Sequence, residues 1–336
     1  MTAAASKQNP SINFQKREET CHAHPQQGRP AMMHIDQVHL NFNPQALLAL
    51  NLVLALVMFG VALDLKLSDF KQALRTPKAL AIGLLGHHVL FPAGTYLLIL
   101  ALNPLPSIAL GMLLVSSCPA GHISNFFTHR AGGNAALSVS ISTLSTVGAV
   151  FMMPINVAFW ANQHEGMRAI LRDFSLDPLS MLFEVALLLG VPLALGLTMS
   201  HRFPKMAARL LKPMRVFSLV VFGVFVSGAL LANWKFFLAY GAMVVGIVFI
   251  HNACALASGY GLGKLTGLAE RDCRAVAFET GIQNSGLGLV LIFNFFGALG
   301  GMAIVTAWWG IWHIFAGMAL STYWMKKPAQ AAKAGA

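Results

Sequence analysis

The chain has 336 residues, 56% hydrophobic and only 10% charged, with a mean hydropathy of +0.65. Soluble domains carry nearer to about a quarter charged residues, so this composition excludes an ordinary soluble globule and indicates a polytopic helical membrane protein. The formal net charge of +11 does not mark a nucleic-acid-binding chain, because the basic residues fall in short loops between apolar runs, where they report topology.

Residues 1–43 form a polar tail with little helical periodicity, read as disordered. The tail lacks the basic start, apolar run and small-residue cleavage site of a secretory signal. Met32 and Met33 stand just before the first apolar run, so either part of the tail is dispensable or translation starts there. Cys21-His22-Ala23-His24 looks faintly like a metal cluster but lies among Gln and Pro. With Cys118, Cys254 and Cys273 it makes four cysteines and no CxxC pair, which predicts neither a disulfide frame nor a zinc site.

Nine apolar segments follow, at 44–64, 79–101, 107–128, 134–158, 179–199, 216–233, 237–262, 274–297 and 300–325. Basic residues concentrate on one side of this arrangement. They are Lys66, Lys71, Arg75 and Lys78, then Arg130, then Arg202, Lys205, Arg209, Lys212 and Arg215, then Lys264, Arg271 and Arg274, and finally Lys326, Lys327 and Lys333. The opposite loops hold only Arg168, Arg172 and Lys235. The positive-inside rule then puts the C-terminal tail, 326–336, in the cytoplasm and the N-terminus outside, for a protein of the inner membrane. The tail's own Lys7, Lys16, Arg17 and Arg29 lie well before the first span, where that rule is weak.

Two segments are interrupted. Segment 107–128 contains S-S-C-P-A-G-H-I-S-N, where Pro119 removes a backbone donor and Gly121 loosens the helix. Segment 274–297 contains F-E-T-G-I-Q-N-S-G, broken by Gly281 and Gly286. Paired interrupted helices in matching positions of two halves point to a transporter's binding site. Nine spans fit two inverted five-helix repeats if the first lacks its opening helix. A broken helix frees carbonyls suited to a hard cation and half-helix N-termini suited to an anion.

Glu279 is the sharpest residue. An acidic side chain mid-span costs about 2.5–3.5 kcal/mol on insertion scales and needs a proton or a cation. No Lys or Arg lies within an apolar run to pair with it, and Arg274 stands at the span's edge. A protonated glutamate near the interface is one reading; a bound cation accounts better for Gln283, Asn284 and Ser285 close behind it. A second polar cluster joins Ser124 and Asn125 to the Ser/Thr-rich segment 134–158. Most of these hydroxyls suit helix packing or back-bonding, but Ser138 and Ser142 share a face at i, i+4 and are the pair expected to meet Ser124 and Asn125.

The segments S-S-C-P-A-G-H-I-S-N, G-N-A-A-L-S-V-S-I-S-T-L-S-T, I-H-N at 250–252, E-T-G-I-Q-N-S-G and W-H-I-F-A-G-M-A-L-S-T-Y-W at 312–324 resemble the bile acid:sodium symporter family. The likeness covers about 50–325, in family order and spacing, and the chain is identified as a bacterial member. Its nine spans are similar to the animal members, whereas bacterial members known to us have ten.

The resemblance implies an all-α fold with a core domain (about 79–158 and 237–325), a panel domain (about 44–64 and 179–233) and two crossed discontinuous helices. It implies a first sodium site at Ser124, Asn125, Ser138, Ser142 and Glu279. A second would use Glu279, backbone oxygens around Thr280 and Ile282, the Gln283 side chain and, where the family has a glutamine, His87. Imidazole is a poor sodium ligand, so that site is altered or a proton on His87 stands in for the ion. The implied solute contacts are Asn284, His122 (where the family has a threonine) and His313, followed here by Ile314 where members often have asparagine.

The expected function is sodium-coupled symport of an organic anion by alternating access, with no cofactor beyond sodium. Bile acids, sulfonates, pantoate-like acids and keto acids remain open as solutes. A proton-coupled carrier using Glu279 and His87 is the alternative. An intramembrane enzyme is disfavoured, since His251 and Ser258 are too far apart to form a diagnostic dyad and no metal motif occurs. A solute-sensing receptor is disfavoured by the short C-terminal tail.

Overall fold

The computed structural model describes residues 45–64, 76–174, 183, 185–232 and 234–327. The chain divides into Met1–His34 and Ile35–Ala336. The first unit lies outside the described residues, and with it the readings made of Cys21-His22-Ala23-His24, Met32 and Met33. The basic residues Lys66, Lys71, Arg75 and Lys333 are likewise outside them.

In chain order the helices are α1 (Gln45–Asp64), α2 (Pro77–Leu102), α3 (Pro106–Ser117), α4 (Ile123–Arg130), α5 (Ala135–Ala161) and α6 (Glu165–Asp173). They continue as α7 (Ala186–Arg202), α8 (Pro204–Ala232), α9 (Trp234–Leu265), α10 (Glu270–Gly281), α11 (Ser285–Phe295) and α12 (Gly300–Met325). Pro77, Pro106 and Pro204 each open a helix, where a fixed φ and a missing N–H cost nothing.

Within the described residues every expected apolar segment overlies helix, apart from one or two residues at segment ends and the breaks at 118–122 and 282–284. Among the described residues, four helical stretches are long and apolar enough to cross a membrane alone, Pro77–Leu102, Ala135–Ala161, Gly241–Leu265 and Gly300–Met325. Four shorter apolar stretches accompany them, Asn51–Asp64, Pro106–Ser117, Ala186–Arg202 and Ser285–Phe295.

Two features differ from the sequence reading. The basic stretch 200–215, expected as a loop, is almost all helix, because α8 starts on Pro204 directly after Phe203. The segment between the fourth and fifth spans contains α6, an amphipathic helix that buries Met167, Ile170 and Leu171. Glu165 in its first turn and Arg172 in its last both suit the helix dipole.

Inside α2 the chain widens into a π-helical turn at Gly86–Leu90. The cause is Pro92, which has no N–H for the carbonyl of His88. The Asn156 side chain donates to that carbonyl instead, at 2.9 Å.

α1 packs mainly against α7 and α8 and also touches α11, while α2, α3, α4, α5, α9, α10, α11 and α12 pack among themselves. The innermost helices are short. Every residue of α3 from Ser107 to Ser117 is buried, as are nearly all of α11. A helix apolar on all faces lies in a protein core or in lipid, and these two lie against protein: α3 packs on α12, α5 and α2, and α11 on α12, α1 and α3.

Candidate cation and solute site

The first interruption is local chemistry. Pro119 disfavours helical backbone at Cys118, which takes φ −64°, ψ 157° and ends α3. Helix resumes at Ile123 with His122 as the N-cap of α4. The second interruption spans Ile282–Asn284: Ile282 is extended, and the Asn284 side chain caps α11 by accepting from Leu287 N at 3.1 Å. Gly286, read from sequence as a breaker, lies inside α11.

The two interruptions cross and pair. Gly121 N donates to Ile282 O at 2.9 Å, and Asn284 N donates to Pro119 O at 2.9 Å. Ala120 and Gln283 form an isolated antiparallel bridge between these bonds. Gly121 makes the approach possible, since a Cβ there would lie 3.0 Å from Gln283 O.

Other freed carbonyls are met by side chains from α2 and α9. His87 Nδ1 lies 2.9 Å from Glu279 O, and its Nε2 lies 3.1 Å from Cys118 O. Asn252 Nδ2 donates to Gly281 O at 2.7 Å. Within the second break, Gln283 Nε2 donates to Thr280 O at 2.8 Å. The buried Gln283 Oε1 and Thr280 Oγ1 have no hydrogen-bond partner among the described residues. In a medium without water these pairings replace those a continuous helix would supply.

Glu279 is fully buried on α10, about half a turn before the break. Its Oε1 accepts from Ser124 at 2.6 Å and also from Ser138, and its Oε2 accepts from Ser142 at 2.7 Å. Asn125 Oδ1 lies 2.8 Å from Ser138 Oγ and 3.3 Å from Ser142 Oγ. Thr128 Oγ1 lies 3.2 Å from Ser138 Oγ. The structure thus gathers all five residues expected at the first cation position, from α4, α5 and α10.

Proton counting gives this cluster its character. Each serine hydroxyl has one proton. If all three go to Glu279, the Asn125 carbonyl receives none. The cluster is rich in oxygen lone pairs and poor in protons, which suits a hard cation. Among the described residues, no Lys or Arg forms an ion pair with Glu279.

The residues expected at the second cation position, Glu279, Thr280, Ile282, Gln283 and His87, also converge; their backbone carbonyls are engaged, while Gln283 Oε1 and Thr280 Oγ1 have no partner among the described residues. Glu279 O faces His87, Ile282 O accepts from Gly121, and Thr280 O accepts from Gln283. Of the expected solute contacts, His122 and Asn284 stand at the first turns of α4 and α11, on either side of the Ala120–Gln283 bridge. His313 lies on α12, buried, with Nδ1 unpartnered.

Sequence reasoning missed Thr128, Asn252 and Asn134. Thr128 follows Ser124 by four residues and so shares its face, a signal available from spacing. The other two act on groups of distant elements, Asn252 on Gly281 O and Asn134 on Arg271 O and the Asp272 carboxylate, for which spacing carries no signal.

The sodium bile acid symporter family model matches residues 51–239. The uncharacterized sodium-dependent transporter YocS of Bacillus subtilis is 30% identical over 278 residues, 83% of each chain. The probable sodium/metabolite cotransporter BASS1, chloroplastic, of Oryza sativa is 32% identical over 246 residues, 73% of this chain and 58% of that protein. The human ileal sodium/bile acid cotransporter is 28% identical over 239 residues, 71% of this chain and 67% of its own. This chain therefore spans most of the bacterial relative but under two thirds of the plant one.

Proposed function

The chain belongs to the sodium bile acid symporter family, a family of transporters and not enzymes, and from that membership we propose that it couples uptake of a small organic anion to sodium. The observation that carries this reading is the Glu279 carboxylate ringed by Ser124, Ser138, Ser142 and Asn125, with no Lys or Arg among the described residues in an ion pair with it. Sodium is the coupling ion on this reading, and its ligands are those five residues.

The mechanism follows from where the ligands sit. They lie on α4 and α10, which are halves of the two crossed helices, and on α5. A sodium ion drawing these oxygens together favours one arrangement of the crossing. The solute would bind on the other side of the crossing, where the N-termini of α4 and α11 present partial positive charge. His122 and Asn284 would contact the anion there, with His313 from α12. Each ligand then favours the arrangement the other needs, which is the thermodynamic content of coupling.

The nine-span, N-outside arrangement in the inner membrane belongs to the same proposal, as do a core of about 79–158 and 237–325 and a panel of about 44–64 and 179–233. The packing of α1 with α7 and α8 supports that division. Alternating access would be rocking of panel against core.

At the second cation position we place His87 and no sodium ion. Both its ring nitrogens face carbonyl oxygens. Neutral imidazole has one N–H for these two acceptors, so a proton on His87 would satisfy both. A proton-coupled carrier is therefore the second reading.

The test is a thermal-shift screen of purified protein against organic anions, in sodium chloride and in choline chloride. A ligand that binds only the native state raises the midpoint by mass action. The reading expects shifts that need sodium. Uptake that persists without sodium and collapses with a protonophore would replace it with the proton-coupled one.

A further inference from the structure

At the opposite ends of α4 and α10 from the crossing, Arg274 is 97% buried and takes no part in the proposed cation or solute chemistry. Its Nε donates to Glu270 Oε1 at 2.9 Å. Its Nη1 donates to Ala131 O at 2.6 Å and Trp324 O at 3.2 Å, and its Nη2 donates to Lys327 O at 2.8 Å. The guanidinium carbon also sits 5.4 Å from the centroid of the Trp324 ring.

These acceptors are not a random set. Ala131 is the C-cap of α4, and Trp324 and Lys327 flank the C-terminal end of α12. The guanidinium therefore sits on the negative ends of two helices, while Glu270 lies in the positive first turn of α10. The planar fork reaches four acceptors from three separate nitrogens; a lysine has only three donors, all on one nitrogen, and cannot span them.

A second link lies beside it. Asn134, the N-cap of α5, donates from its backbone to Arg271 O at 2.9 Å and from Nδ2 to Asp272 Oδ1 at 2.7 Å. Arg274 and Asn134 together join α10 to α4 and α5. Those are the three helices that carry the oxygens around Glu279.

The distances along each helix are short. At 1.5 Å per residue, Glu279 lies about 7.5 Å beyond Arg274, Ser138 about 6 Å beyond Asn134, and Ser124 about 10 Å before Ala131. The oxygen cluster is held between two fixtures, the paired crossing at one end and this clasp at the other. With α4 only 8 residues long, its tilt and rotation are set by these two ends.

Resting on the cation-site reading above, we infer that Arg274 is a positioning residue for that site: its fork, with the Asn134 link, sets the register in which Ser124, Asn125, Ser138 and Ser142 meet Glu279. The clasp acts on sodium affinity through geometry and touches neither ion nor solute.

The experiment titrates sodium chloride against choline chloride at constant ionic strength, using the purified full chain and its thermal midpoint. Arg274→Lys keeps the charge and loses the fork, so the sodium concentration for half the response rises about tenfold or more. Asn134→Ser keeps a cap for α5 and loses the reach to Asp272; it shifts the half-response the same way, by less. Met167→Ala is the control: it leaves a cavity under α6, lowers the midpoint in choline and leaves the sodium half-response unchanged. Wild-type half-response in Arg274→Lys, or an equal shift in Met167→Ala, would overturn the positioning role. If Arg274→Lys does not fold, Asn134→Ser decides alone, and an unshifted half-response overturns the inference. A wild-type protein blind to sodium defeats the cation site itself and this inference with it.

Discussion

Ser142 donates to Oε2 of Glu279 at 2.7 Å across 137 residues of sequence. The bond joins a hydroxyl of the long α5 to a carboxylate on the short α10. It belongs to a cluster in which single-proton hydroxyls face the Glu279 carboxylate and the Asn125 carbonyl.

Glu279→Gln should separate folding from ion binding. The amide keeps the shape and still accepts hydrogen bonds, but it carries no charge to hold a cation. We expect the protein to be expressed with a midpoint in choline close to that of wild type, and to have lost its sodium response and sodium-dependent uptake. Uptake at the wild-type rate by this variant would remove Glu279 from the mechanism.

Ser138 and Ser140 make a matched comparison on one helix. Ser138 meets Glu279, Asn125 and Thr128, whereas Ser140 bonds back to Ala136 O at 2.9 Å. Removing one buried hydrogen-bonding oxygen costs about 1–1.5 kcal/mol, which corresponds to about tenfold in affinity. Ser138→Ala should weaken sodium binding by that factor in a sodium titration, and Ser140→Ala should leave it unchanged.

Gly121→Ala tests the crossing. The added Cβ would meet Gln283 O at 3.0 Å, with main-chain atoms that cannot swing away. Overpacking of this kind costs about 1–3 kcal/mol. The thermal midpoint should fall with and without sodium, in contrast to Glu279→Gln.

His87→Gln tests the second position. The variant would replace an imidazole between two carbonyls with a side chain that offers an oxygen. On the family pattern this restores a cation ligand, so sodium dependence of uptake should steepen from a Hill coefficient near one toward two. An unchanged coefficient would mean that His87 does not set the ion count.

Acid should loosen the clasp through Glu270. Partial burial alone would raise its pKa, but hydrogen bonds from Lys264, Arg274 and Tyr260 prevail and hold the carboxyl below its ordinary value of 4.5. A depressed value stabilises the folded state above the ordinary range, and that stability is lost as pH falls through the folded value. As pH falls from about 5 through the ordinary value of 4.5 and below it, the midpoint of wild-type protein should fall more than that of Glu270→Gln. Parallel curves would rule out a contribution from this carboxylate.

Much of this protein is written in local sequence. Composition and the recurrence of apolar runs determine a helical membrane class, because hydrocarbon admits little else. Proline and polar residues at 116–125 and 279–285 mark the two interruptions, because a missing N–H or a cap acts within a turn. The i, i+4 spacing of Ser138 and Ser142 places them on one face, and the lone carboxylate at Glu279 announces that something must neutralise it.

Tertiary structure decided what those residues meet. Spacing sets Ser138 and Ser142 apart from Ser140, and the rotation of α5 against α10 turns their shared face toward Glu279 while Ser140 bonds back to its own helix. Gln283 Nε2 is spent on Thr280 O, and the Asn284 carbonyl caps its own helix. His87 bridges two carbonyls that only the crossing brings within reach. Arg274, at the edge of a span, looks like one more topology charge until the ends of α4 and α12 close around it. Helix formation depends on neighbours a few residues away, whereas these contacts join residues up to 192 positions apart. They exist only after the breaks have crossed and packing has fixed each helix's rotation.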